Sequence, residues 1–474
     1  MPRVKINYSG DDETLAIMNE FTHVAVGDRR LVKRLQETAL LLAKKPGSSL
    51  PCACGSWAKT KGAYRLFGNK KITRRGILAS HRESTMARVK GHEIVLLPQD
   101  TTALDFSMHR KTEGLGPYAT DEDARGLLMH TTMAVTPEGV PLGILAQKIW
   151  AREEASYGKR HRRKELSVAE KESGKWLEAM DESLVGLPVG VMAVTIGDRE
   201  ADIYDLFLKA TREGKQLLIR ATQDRRLERG RLLAEMEEAP LVGECLVKVA
   251  RNPASNLPPR EARLVVRVRP VTLLPPRRRS GEGLPPVKLH AILAKEIAPP
   301  PEVKEPIRWL LLTTLKVETV EEAAEKIGWY TQRWKVERYH YVLKSGCRVE
   351  DLQLEAAERL EKAIALYSVV AWQVLWLTYQ ARETPEVPCT VIFSEKDWQV
   401  LYCLVNNTDK PPKKPPTLKQ AVFMLARLGG FLGRKGDGEP GVKVLWRGLR
   451  RLHDALDVLK TLQAILLEQD VGNV

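Results

Sequence analysis

Between residues 93 and 222 the chain alternates short apolar runs with segments of helical period, and this alternation limits the possible folds more than any other feature. The run EIVLL at 93–97 reads as a buried strand that leads to Asp100. LLMHTTMAV (127–135) and PLGILAQKIW (141–150) read as strands joined by a turn at Pro137-Glu138-Gly139. A helix over 170–186 follows, then a buried strand at 191–197 that runs into Asp198, a helix over 201–213 and a strand at 216–222. Strands first, then helix and strand in turn, predict an α/β sheet covered by helices.

The flanks differ from this centre. Residues 1–20 read as an arm. From Gly27, Leu31, Leu35, Ala39 and Leu42 recur at helical spacing until Pro46-Gly47 stops the helix, and two more helical patterns follow near 56–67 and 73–89. Residues 223–315 are rich in Pro, Arg and β-branched residues and carry strand patterns such as EARLVVRVRPV and VKLHAILAKEI, so they predict a β-rich insertion. A long helix is expected from about 319 to 345, and the chain beyond Tyr379 is mostly helical. Its last segment spaces Leu445, Leu449, Leu452, Leu456, Leu459, Leu462 and Leu466 three or four apart, a stripe suited to a core or to a subunit interface.

Charge is unevenly placed. The whole chain carries +15, but residues 21–90 alone hold 16 Lys and Arg against Asp28, Glu37 and Glu83, a net of +13. A field concentrated in so short a stretch attracts polyanions, of which nucleic acid is the common one. Six cysteines, at 52, 54, 245, 347, 389 and 403, form neither a disulfide framework nor a zinc-ligand pattern; Cys52 and Cys54 read as small buried or turn residues. The start MPRVKINYSGDDE lacks the apolar core of a signal peptide, and no wholly apolar run reaches the roughly 18 residues of a membrane span, so the expected location is the cytoplasm, with no membrane partner.

Three acidic residues draw attention. Phosphodiester chemistry needs an attacking oxygen deprotonated and a leaving oxygen neutralised, and divalent metals held by carboxylates do both. Asp100, in LLPQDTTAL, and Asp198, in VTIGDREADIYDL, each follow an apolar strand, where an Asp is either a solvated turn residue or a ligand. On the helix expected near 330, Tyr330, Arg333, Glu337 and Lys344 fall within an arc of about 60°. That face sets a carboxylate among cations, as a metal ligand beside phosphate grips would be; the alternative is a solvated face with an Arg333–Glu337 ion pair.

These segments resemble a known family. QDTTAL, EKESGKWL (170–177), GDREADI, IRWLLLT (307–313), YTQRWKVERYHYVLKSG (330–346) and ARLGGF (426–431), with LAKKPGSS and KGAYRLFGN nearer the N-terminus, are similar to the transposases of bacterial insertion sequences of the fourth family. These are DDE transposases with a ribonuclease H-like core. The signature Y-x2-R-x3-E-x6-K is intact. The resemblance implies a mixed sheet with helices on both faces, a helical DNA-end-binding domain at 1–90, a catalytic domain at 91–378 with the β insertion at about 223–315, and a helical dimerisation domain at 379–474. It implies Asp100, Asp198 and Glu337 as catalytic ligands of two Mg²⁺ or Mn²⁺ ions, with Tyr330, Arg333 and Lys344 gripping DNA phosphates. Arg220 would lie near the site, and Trp309 would stack on a base flipped out as a DNA hairpin forms. Arg29, Arg30, Lys33 and Arg34 become candidates for end-DNA binding. The implied partners are the element's terminal inverted repeats, target DNA and a second copy of the chain; the implied place is the bacterial nucleoid. A hydrolytic nuclease of similar core and a DNA-binding repressor remain as alternatives.

Overall fold

The computed structural model describes residues 17–471 except 122, 154–171 and 250–256, so most of the expected arm and the start of the helix expected at 170–186 lie outside the described residues. The described chain opens on helical residues 17–19, inside the expected arm, and four helices follow at Arg29–Lys44, Leu50–Cys54, Trp57–Phe67 and Arg74–Val89. Each is capped on its N-terminal side by the hydroxyl or carboxylate of the preceding residue: Asp28, Ser49, Ser56 and Thr73 accept backbone N–H bonds from the first turns. Such caps fix where each helix starts. Leu35, Ala39 and Leu42 turn inward, while Arg29, Arg30, Lys33 and Arg34 stay exposed on the other side.

Ten strands form one sheet: β1 Ile94–Asp105, β2 Gly116–Pro117, β3 Arg125–Val135, β4 Pro141–Trp150, β5 Met192–Gly197, β6 Gln216–Arg220, β7 Leu241–Val249, β8 Arg260–Leu273, β9 Val287–Glu296 and β10 Arg308–Thr313. β3 runs antiparallel between β1 and β4, whereas β1, β5 and β6 are parallel neighbours. Order β4-β3-β1-β5-β6, with only β3 reversed against its neighbours on both sides, is the ribonuclease H-like arrangement, and the mixed sheet with helices on both faces is as expected. The residues 223–315 do not form a separate body. β10 pairs antiparallel with β6, and β9, β8 and β7 follow, so the insertion extends the catalytic sheet sideways.

Two expectations need correction. β1 does not end before Asp100; Thr101 and Thr102 continue the ladder opposite His130 and Met129 as far as Asp105. β-branched residues suit a pleated, half-buried surface, which explains the extra length. The helix expected at 319–345 is broken. It runs Val320–Thr331, tightens where Gln332 and Arg333 bond back three residues to Trp329 and Tyr330, resumes at Trp334–Tyr341 and widens into a π turn at Val342–Gly346. A turn of i→i+3 bonds and a turn of i→i+5 bonds each change the rotation per residue, so the uniform helical arc does not extend to Lys344.

The helix Ala357–Glu383 is the central post of the core. It is long and apolar enough to cross a membrane by composition, although Ser368, Gln373 and Thr378 interrupt its apolar residues. Of its most apolar window, 83% is buried inside the protein against β4, the helix Arg74–Val89 and the C-terminal helices, so here that composition serves a core. It also runs unbroken through the boundary expected at 378/379. In the last helix, Val442–Val471, Leu445, Leu449, Leu452 and Leu456 are buried, but Val458, Leu462 and Ile465 are exposed.

Candidate active site

Strand register assembles the site. Asp100 pairs with Thr131 on β3, and Thr131 pairs with Gln147 on β4. On the other side β1 and β5 run parallel and in step, up to Pro98 opposite Ile196, and Asp100 and Asp198 each follow two residues beyond that pair. β5 and β6 run in step up to Gly197 opposite Ile219, after which come Asp198, just past the end of β5, and Arg220, which pairs with Leu311 on β10. Gln147, Thr131 and Asp100 therefore form one row across three strands, with neighbours about 5 Å apart in the pairing direction, and Asp198 and Arg220 follow at the same end of β5 and β6. Laterally paired residues point to the same face, so the row presents one polar line. His130 and Thr101, one step along, face the opposite side, where His130 packs edge-on against Trp176 at 4.8 Å.

Asp198 keeps an extended backbone and its carboxylate caps the short turn Arg199–Ala201, accepting the Glu200 N–H at 2.8 Å. That loop is anchored behind it. Fully buried Asp202 takes N–H bonds from Thr222, Gln223 and Arg225, the last at 2.8 Å from Nε. The anchor thus ties the end of β5 to the segment just after Arg220.

The helix Trp334–Tyr341 packs over β1 and β3 and brings Glu337 to the row. Arg333 and Glu337 form an ion pair, with the Arg333 side chain 8% exposed and that of Glu337 32%. Burial pushes the Glu337 carboxyl above the usual carboxylate range; Arg333 opposes this, and the charge of Asp100 adds to it. Burial works against the Arg333 cation, but Glu337, Tyr330 and Asp100 outweigh it and hold it charged. Its Nε is buried and has no hydrogen-bond partner among the described residues. So the helix face holds both the carboxylate and the cation, but they are paired to each other.

The remaining predicted residues lie around this centre. Tyr330 is buried and packs edge-on against half-buried Trp309, ring centres 5.4 Å apart. Trp309 shares a sheet face with Arg220. Lys344, on the π turn, reaches the Ala103 carbonyl at 2.8 Å and Glu350 at 3.0 Å. Arg29, Arg30, Lys33 and Arg34 are on the exposed helix of the N-terminal unit, not in this cluster.

Sequence reasoning missed His340 and Glu350. His340 Nδ1 lies 3.4 Å from Asp100 Oδ2. The signal was present, because His340 follows Glu337 by three on the same helix. Thr131 and Gln147 gave no signal, since only register places them beside Asp100.

The donor set is wholly oxygen, the chemistry that Mg²⁺ and Mn²⁺ prefer, and Asp100, Asp198 and Glu337 suit such ions by type. Among the described residues, however, no three His, Cys, Asp or Glu side chains converge as metal ligands would. Glu337 Oε1 is instead paired with Arg333 Nη1.

Three family models match the chain in order: Transposase DNA-binding over residues 14–72, Transposase DDE domain over 144–372, and Transposase Tn5 dimerisation domain over 369–460. The DDE match contains Asp198 and Glu337, whereas Asp100 precedes it. Among solved structures, the chain resembles the cryo-EM structure of piggyBac transposase in a synaptic complex with hairpin DNA, at 9% identity and a TM-score of 0.36, covering 79% of this chain and 74% of that one.

Proposed function

We propose that this chain, a metal-dependent DDE transposase with DNA-binding and dimerisation domains, is an insertion-sequence transposase of the fourth family that excises its element through a DNA hairpin. The observation that supports the reading is that Asp100 and Asp198 follow the same end of the parallel pair β1 and β5, with Glu337 on the helix packed over β1 and close enough to feel the charge of Asp100. Asp100, Asp198 and Glu337 would hold two Mg²⁺ or Mn²⁺ ions. Bound there, such ions neutralise charge on the attacking and leaving oxygens of phosphoryl transfer.

The chain's own residues have distinct tasks. Arg29, Arg30, Lys33 and Arg34 present an exposed basic helix to the terminal repeats, within a unit taken as 1–90. Arg333, Tyr330 and Lys344 take backbone phosphates beside the carboxylates, and the spare Nε–H of Arg333 suits a phosphate oxygen. A phosphate that captures Arg333 also frees Glu337, so DNA binding and assembly of the carboxylates are one event. Arg220 adds positive charge at the end of the polar row. Trp309 offers a face to a flipped base, for which it must part from Tyr330.

The reaction order follows. Water cuts one strand at the element's end; the released 3′-OH attacks the opposite strand and displaces the flanking DNA, leaving a hairpin. A second water opens the hairpin, and the 3′-OH then attacks target DNA. The catalytic unit is taken as 91–378 and the C-terminal unit as 379–474, with the helix Ala357–Glu383 common to both. Exposed Val458, Leu462 and Ile465 would be covered by a second copy of the chain on the DNA complex. The site of action is the nucleoid of a bacterial cell.

Incubation with duplexes bearing the source element's terminal repeats and Mg²⁺ or Mn²⁺, read on a denaturing gel, tests this. Nicked strands and hairpin ends are expected, and Asp198→Ala should yield neither. Nicking without hairpins or strand transfer would favour a hydrolytic nuclease. Retained binding with no cleavage in either metal would favour a repressor.

A further inference from the structure

A hydrogen-bonded chain leads from the central helix to His340, whose ring lies beside Asp100. Ser368 donates its hydroxyl to Gln147 Oε1 at 3.2 Å. The Gln147 amide nitrogen donates to Tyr339 OH at 3.0 Å and to Thr131 Oγ1 at 3.3 Å. Thr131 Oγ1 lies 3.3 Å from His340 Nε2, and His340 Nδ1 lies 3.4 Å from Asp100 Oδ2. Every member but Asp100 is buried.

The orientation of the Gln147 amide sets the polarity of this chain. Ser368 uses the oxygen of Gln147, so the amide nitrogen faces Thr131. Thr131 accepts that N–H, which leaves its own proton for His340 Nε2. A neutral imidazole with an accepting Nε2 carries its proton on Nδ1, toward Asp100. Four elements, β4, β3, the central helix and the helix of Glu337, thus converge on one carboxylate that the strand alone would leave free to rotate.

We propose that His340 is the positioning residue of Asp100, its ring orientation and tautomer set by Thr131 and, through Gln147, by Ser368. The proposal rests on Asp100 being a metal ligand as read above. A carboxylate faced at 3.4 Å by a ring of fixed orientation is kept from turning away from the cation, and such outer partners commonly govern metal affinity by about 10- to 100-fold. The same link couples the two catalytic elements. The helix that delivers Glu337 also holds Asp100, so helix and strand cannot shift independently.

The test is Mn²⁺ binding by the full chain, with and without duplex DNA, followed by the electron paramagnetic resonance of free Mn²⁺. His340→Ala should weaken binding about tenfold or more. His340→Asn, whose side-chain amide can put an N–H near the Nδ1 position, should remain within about threefold of wild type. Thr131→Val, which removes the partner of Nε2 but keeps the bulk, should fall between them. Wild-type affinity in His340→Ala, or equal loss in the Asn and Ala variants, would overturn the proposal. Asp100→Asn separates the two levels. If it binds Mn²⁺ normally, the metal-site reading itself fails; if it loses binding while His340→Ala does not, only the positioning role fails.

Discussion

Two places in this molecule bring together a carboxylate, a histidine and an arginine, and they are built to opposite ends. In the first, Glu20, His81 and Arg88 join the N-terminal unit to β4 and the central helix. Both Glu20 oxygens bond to Arg88, at 2.6 and 3.1 Å, and one also to His81 Nδ1 at 2.5 Å. His81 Nε2 accepts the Ile144 N–H, and Arg88 lies over Trp372 at 4.4 Å. In the second, Asp100, Glu337, Arg333 and His340 leave donors and acceptors over: Arg333 Nε has no partner among the described residues, and the Glu337 side chain is 32% exposed against 6% for Glu20.

Electrostatics separates them further. Burial alone would raise both glutamates. At Glu20, Arg88 and His81 outweigh burial and pull the carboxyl down to about 2, whereas Glu337 stays raised because burial and Asp100 outweigh Arg333. A closed, satisfied cluster is a fastening. An open one, with a donor left over and a carboxyl pushed up by burial, has the character expected of a site. Residue types do not tell the two apart; satisfaction and solvent access do.

The largest test of this contrast is Glu337→Ala. Cleavage of terminal-repeat DNA should fall by at least about 10³-fold, as for a member of a catalytic unit, with thermal stability little changed. Next, Glu20→Gln should cost about 3–5 kcal/mol in urea unfolding because it strands Arg88 in the interior, while the fraction still folded cleaves normally. If the two variants exchanged these phenotypes, the contrast would be broken.

The pH dependence sharpens it. The folded pKa of Glu20 lies below its ordinary value of 4.5, so the stability it lends is complete above about pH 4.5 and is lost as pH falls toward 2. Its size is about 3 kcal/mol. Wild type should lose that stability on acidification, and Glu20→Gln should lose correspondingly less; equal slopes would contradict the assignment. Glu337 works with the opposite sign, since its raised pKa makes the folded state the better proton binder. The smallest effect is expected at Glu350→Gln. This change frees Lys344 and removes a negative charge beside the phosphates, so binding of end DNA should tighten by at most about fivefold, measured by fluorescence anisotropy.

By itself, the sequence determined which segments are strands and helices in the centre, that Asp100 and Asp198 follow apolar runs, and that Arg333 and Glu337 share a helical turn. These are local facts, carried by periodicity and by spacing within one element. The caps at Asp28, Ser49, Ser56 and Thr73 belong with them, because a cap reaches only two or three residues. Tertiary structure decided the rest. It alone brought the strands that precede Asp100 and Asp198 together as parallel neighbours, joined residues 223–315 to the catalytic sheet, and set Thr131 and Gln147 behind His340. Register and packing join residues hundreds of positions apart, as His340 meets Asp100 and Lys45 meets Asp457, and no spacing along the chain encodes them. The break at Gln332–Arg333 and the π turn at Val342–Gly346 belong there too, since packing against the sheet, not helical propensity, sets the turn on which each signature residue falls.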